Sequence, residues 1–297
     1  MRDGLEKSLP ADKNLSKRVY SAFVFVPVLI LITYVGGVVF TLLVTVLVLL
    51  GMYELFGILE AGGAKPARLF GYILAASVCF FAFYSAGRPG MIVAGFTVTV
   101  LAAVLLFGVE SLRGRKSINS ALTLGCVLYV AWLFSMQIPL RESGAILIPE
   151  GPFGSDVTGW LLLLFGYSMV WTCDTGAYFV GKKFGRHKLI PSVSPGKTVE
   201  GAVGGFLLTI LVAFLFRYLF LKQLTTGTTA LLGVTAGVTC QIGDIFESKL
   251  KRMGNIKDSS NIIPGHGGIL DRFDGMVFAL PALYYALLAG AGRIGIH

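Results

Sequence analysis

The sequence predicts an all-α fold, a polytopic integral membrane protein with about nine transmembrane helices. Three observations carry that prediction. The 297 residues are 55% hydrophobic and only 14% charged, whereas soluble chains carry about 25% charged residues. Mean hydropathy over the whole chain is +0.77. The apolar residues also gather into long runs, and about 20 residues rising about 1.5 Å each are enough to cross the hydrocarbon core. So much apolar surface excludes an ordinary soluble domain and a disordered chain alike.

Taken in order, the runs cover 19–35, 38–59, 69–86, 91–109, 118–139, 157–180, 200–221, 228–252 and 268–290. The third and fourth are near the short limit for a span. Before the first run the chain is polar for 18 residues, and the run itself is too long for a signal h-region, so no cleavable signal peptide is expected. Tandem repeats and low-complexity blocks are absent. The expected organisation is about five transmembrane helices in 1–150 and about four, carrying the chemistry, in 151–297. Cys79, Cys126, Cys173 and Cys240 all lie inside apolar runs. They read as small buried hydrophobes and not as a disulfide framework or a CxxC metal site.

The net charge of +9 has a topological cause. With a cytoplasmic N-terminus, that side receives the tail and the loops after the second, fourth, sixth and eighth runs. These segments hold five, two, three, five and five Lys or Arg, counting Arg272 just inside the ninth run, which is 20 of the 25 in the chain. Only Arg88, Arg141, Arg217, Lys222 and Arg293 fall on the other side. Such a bias is the positive-inside rule. Membrane insertion accounts for the charge, and no nucleic-acid partner is expected.

The chemistry is expected where acids interrupt apolar helices. Asp174, Asp244, Glu247, Asp271 and Asp274 fall within the sixth, eighth and ninth runs. A carboxylate in the bilayer is costly and faces a bundle interior or a wet cavity. Counting from the nearest helix end, Asp174, Asp244, Asp271 and Asp274 sit roughly 5–14 Å below the cytoplasmic boundary. Four carboxylates from three helices are thereby expected in one layer. Asp244, Glu247, Ser248 and Lys251 share one helical face, and Asp271 and Asp274 another. Oxygen-only ligands suit a hard cation such as Mg²⁺; three histidines (His187, His266, His297) are too few for zinc. For any one of these acids, a buried helix–helix hydrogen bond or salt bridge is an equal alternative.

Two loops complete the pattern. GKKFGRHKLIPSVSPGKTVEG spans 181–201 and GNIKDSSNIIPGHGG spans 254–268. Exposed amides, hydroxyls and cations are the groups that hold phosphate oxygens. Basic loops beside membrane helices also follow from topology alone, which is the reading for Lys182 and Lys183. Gly196-Lys197-Thr198 is not a P-loop: the required first glycine is Pro191, and no strand is expected before it. Gly201 and Gly205 form a GxxxG pair, expected in helix packing. Acids for a metal beside cations for phosphates point to phosphoryl or nucleotidyl transfer to a lipid at the membrane boundary.

The specific residues go further. Ser248-Lys249-Leu250-Lys251-Arg252, then Lys257-Asp258, then Pro264-Gly265-His266-Gly267-Gly268-Ile269-Leu270-Asp271-Arg272-Phe273-Asp274 resembles the signature of the phosphatidate cytidylyltransferases (CDP-diacylglycerol synthases). Asp174-Thr175-Gly176-Ala177-Tyr178, Ser194-Pro195 with Lys197-Thr198 and Glu200-Gly201, and Gln241-Ile242-Gly243-Asp244 are similar to the same family. The resemblance covers about residues 170–275; the first 140 match only as generic apolar helices. It implies a nucleotidyltransferase making CDP-diacylglycerol and pyrophosphate from CTP and phosphatidic acid, for phospholipid synthesis. The implied setting is the cell inner (plasma) membrane, with the active site facing the cytoplasm. Asp244 and Asp271, with Asp274 and Asp174 next, are the implied ligands of Mg²⁺, alone or with a second cation. Lys197, Lys251, Arg252, Lys257 and Arg272 would hold phosphates, and Ser248 is a polar contact. His266 would either touch a phosphate or order the glycine-rich turn. A homodimer is left open. Two rivals stand beside this reading: a CTP-dependent lipid kinase, which would release CDP, and a transporter, which would hold its charges nearer the midplane.

Overall fold

The computed structural model describes residues 26–112, 117–148, 154–256, 259–260, 262 and 267–290. Over these residues each of the nine predicted runs is helical. The helices are α1 (Val26–Val35), α2 (Gly37–Ala61), α3 (Arg68–Tyr84) and α4 (Pro89–Leu112). After α5 (Ile118–Glu142) come a short α6 (Gly144–Leu147), then α7 (Gly154–Phe184), α8 (Val199–Leu219), α9 (Thr226–Met253) and α10 (Leu270–Gly290). Five of them, α2, α5, α8, α9 and α10, are long and apolar enough to cross a membrane by length and composition. The fold is all-α and the chain is a membrane protein.

One local feature departs from the all-helical expectation. Between α7 and α8 the chain forms an antiparallel hairpin, β1 (Lys188–Ile190) with β2 (Ser194–Thr198). Gly196-Lys197-Thr198 therefore lies within a strand, where no strand was expected nearby. Thr198 ends that strand as the N-cap of α8, its Oγ1 accepting from Gly201 N at 3.2 Å, which satisfies one of the unpaired amides of the first turn.

Burial follows the pattern of a bundle in lipid. α10 and α5 are the most enclosed and α8 the least. Val203, Leu207, Leu211 and Leu215 of α8 are all exposed; at i+4 spacing they form one apolar stripe. Lipid is as apolar as such a stripe, so it costs nothing there. All four cysteines are buried and free, as expected.

Close helix contacts place the acids. At Gly201 and Gly205 of α8 an added Cβ would press on the carbonyl oxygens of Ala177 and Cys173 in α7, so the GxxxG pair does pack helices. At Gly243 a Cβ would run into the Asp274 carbonyl oxygen of α10, and that contact brings Asp244 beside Asp274. Gly243→Ala is expected to wedge α9 from α10 and to cost about 1–3 kcal/mol. Thermal stability in detergent checks this, and wild-type stability would refute the close approach.

Candidate functional site

The three acid-bearing helices and the hairpin enclose one cavity of about 610 Å³. Asp174 of α7, Asp244 of α9 and both Asp271 and Asp274 of α10 line it, facing Lys182, Lys188 and Lys197. The expected gathering of four carboxylates from three helices is present as a cavity wall. A tight cluster is not: among the described residues no three His, Cys, Asp or Glu side chains could hold a metal ion together. Like charges repel, and lysines already engage two of the acids.

Lys197, projecting from β2, forms an ion pair with Asp244 at 2.6 Å. Lys251 stands between two acids, 2.7 Å from Glu247 Oε2 and 2.7 Å from Asp271 Oδ1. The i, i+4 pair with Glu247 was visible in the sequence; the third member comes from the next helix. Asp271 is fully engaged, because its Oδ2 also accepts from Ser259 N at 3.0 Å and Gly268 N at 2.9 Å, with Ser259 Oγ 3.0 Å away. Asp174 accepts from Cys240 Sγ at 3.5 Å, and Asp274 from the amide of Gly275 at 2.7 Å. Neither has an ion pair among the described residues. Oxygen-only donors fit a hard cation, and the oxygens least committed elsewhere belong to Asp174, Asp274 and Asp244, in contrast to the expected primacy of Asp271.

The other predicted residues divide. Arg252 is exposed and bridges α9 to the hairpin turn, its Nε donating to the Val193 carbonyl at 3.2 Å and its Nη1 to that of Ile256 at 3.2 Å. Ser248 is half-buried and Arg272 exposed, and neither lines the cavity. Lys257 and His266 lie outside the described residues. Lys182, expected as a topological charge, stands on the cavity wall; Lys183 does not.

Sequence reasoning missed Glu54. This α2 carboxylate is 2% exposed and accepts from Ser259 Oγ at 2.9 Å, Ser260 Oγ at 2.5 Å, Ile269 N at 2.8 Å and Leu270 N at 2.9 Å. The signal was available, since an acid in a membrane run is a functional candidate wherever it falls. Glu200, at the start of α8, was part of the resemblance but carried no assigned role: its carboxylate accepts from the amides of Arg186 at 3.0 Å and His187 at 3.2 Å, fixing the chain between α7 and β1.

Comparison with known proteins agrees with this architecture. A family model described as "Cytidylyltransferase family" matches residues 16–289. A phosphatidate cytidylyltransferase of Staphylococcus aureus is 32% identical over 274 residues, 91% of this chain and 96% of that protein. The protein of that name from Bacillus subtilis is 46% identical over 134 residues, 44% of this chain and 49% of the relative. One from Haemophilus influenzae is 39% identical over 164 residues, 54% and 57% of the two. In these last two alignments the chain spans only about half the length of the relative.

Proposed function

The chain belongs to the cytidylyltransferase family, and on that premise we propose that it makes CDP-diacylglycerol and pyrophosphate from CTP and phosphatidic acid. The observation that carries the proposal is the single cavity in which carboxylates of α7, α9 and α10 face lysines of α7 and the hairpin, beside the lipid-facing stripe of α8. A triphosphate and a lipid phosphate are both anions, so their meeting requires positive charge held in place, and lysines paired to acids supply it ready-oriented.

A phosphate oxygen of phosphatidic acid forms the new bond to the α-phosphorus of CTP. The bond from that phosphorus to the β-phosphate oxygen breaks, and pyrophosphate leaves. No general base is needed, because a phosphate monoester is already largely ionised near neutral pH. Lys197 exchanges Asp244 for a phosphate oxygen, and Lys182 and Lys188 bind the remaining negative charge at the wall. Lys251 holds Asp271 in place from behind. Arg252, Lys257, Arg272, Ser248 and His266 remain candidates for phosphate contacts. Two carboxylates among Asp174, Asp244, Asp271 and Asp274 would hold Mg²⁺, the number such an ion needs beside substrate phosphates, and when bound it supplies Lewis acidity to the phosphate oxygens.

The cavity opens to the cytoplasmic side of the inner membrane on this reading, supported by the 20-to-5 division of lysine and arginine. Every group named belongs to one chain, so a homodimer is compatible but not required. The test uses purified protein in detergent with labelled CTP, phosphatidic acid and Mg²⁺. Label should enter the lipid extract with one pyrophosphate released per lipid product. Release of CDP with phosphorylated lipid would replace the proposal with a lipid kinase.

A further inference from the structure

A carboxylate buried in a membrane helix is expensive unless hydrogen bonds offset its desolvation. Glu54 meets that requirement in an unusual way, with no ion pair among the described residues. Two of its donors are the backbone amides of Ile269 and Leu270, where α10 begins and its dipole is positive. The other two are the hydroxyls of Ser259 and Ser260, which lie in the loop ahead of α10. Ser259 also donates, through its amide and within reach of its hydroxyl, to Asp271 Oδ2. Glu54 is thus one serine away from a carboxylate on the cavity wall. The space is closed on the remaining side: a Cβ at Gly268 would lie 2.6 Å from both Glu54 carboxylate oxygens.

We propose that Glu54 is a positioning residue of this site, through which α2 of the N-terminal half sets the placement of the Ser259-Ser260 segment and of Asp271. The inference rests on the cytidylyl-transfer reading and adds to it a role for a helix outside the signature. A tie that served stability alone would need no link to a cavity acid. This one fixes both the start of α10 and the serine that Asp271 shares, so a shift of Glu54 moves Asp271 relative to α7 and α9.

The test compares purified wild type and Glu54→Gln, with Ser260→Ala as a milder variant that leaves three of the four bonds. Glutamine keeps the volume but turns an NH₂ toward N–H and O–H donors, so at least one bond becomes a donor–donor contact. Two readouts are taken: kcat and KM per folded molecule, and amide hydrogen exchange over 259–260 and 267–272. The expected result for Glu54→Gln is a kcat lower by roughly ten- to a hundredfold, an unchanged KM for phosphatidic acid, and faster exchange at Ile269 and Leu270. Ser260→Ala should move both readouts in the same direction and by less. Wild-type kcat and exchange in folded Glu54→Gln would overturn the proposal, as would wild-type values in Ser260→Ala should Glu54→Gln fail to fold. If the wild type itself makes no CDP-diacylglycerol, the functional reading fails. The exchange data then still decide whether Glu54 holds this segment.

Discussion

Asp271→Asn is expected to lower turnover by about a hundredfold or more with little loss of folded protein. The reason is the number of donors aimed at this side chain. One oxygen accepts from Lys251 at 2.7 Å and the other from Ser259 and Gly268 at 2.9–3.0 Å. Asparagine has the same shape but offers one acceptor oxygen and one NH₂. In either amide orientation a donor faces a donor, so the side chain must turn or the loop must move. The charge that balances Lys251 is lost as well. Because Asp271 lines the cavity, the consequence appears in turnover. The measurement is kcat per folded molecule, with folded protein quantified by monodispersity in detergent. Lys183→Met, a change at a topological cation off the cavity wall, is the control and should retain wild-type turnover. Near wild-type conversion by folded Asp271→Asn would remove Asp271 from the centre of the site.

What could be read from the residues, and what could not, follows from the range of the interactions involved. Hydropathy over about 20 residues is a local property, so the helices were legible, including the sixth, which carries Asp174. Depth from a helix end is also local, which is why acids of three helices could be assigned to one layer. Partner identity is not local. Lys251 looked free to bind phosphate because only Glu247, four residues away, was in view, whereas Asp271 closes the pair from another helix. Lys197 was equally unreadable as the partner of Asp244. Glu54 was legible as an acid in an apolar run but its partners were not, because its donors lie more than 200 residues away and nothing in Met52-Tyr53-Glu54-Leu55 announces them. The hairpin was missed for another reason: Ser194-Pro195-Gly196-Lys197-Thr198 is poor in strand-forming residues, and its pairing is imposed by short connections to α7 and α8.

Lys251→Met is expected to destabilise the protein more than Gly243→Ala, Asp271→Asn or Glu54→Gln. The lysine side chain is 14% exposed, Glu247 1% and Asp271 10%, so one ammonium balances two carboxylates away from water. Methionine matches the length of the stem and carries no charge, leaving both acids unpaired. Breaking a buried pair by removing one partner costs about 3–5 kcal/mol, against a total folding stability of only about 5–15 kcal/mol. Added Mg²⁺ should not repair the loss, because Glu247 is not among the cavity-lining residues. Restoring the original net charge should: in Lys251→Met with Glu247→Gln one of the two orphaned charges is gone, and part of the stability returns. The check is the midpoint of thermal unfolding in detergent for wild type, the single variant and the double variant. A single variant that unfolds with the wild type would mean that Lys251 does not balance these acids, and its contribution would then have to be sought at the substrate phosphates.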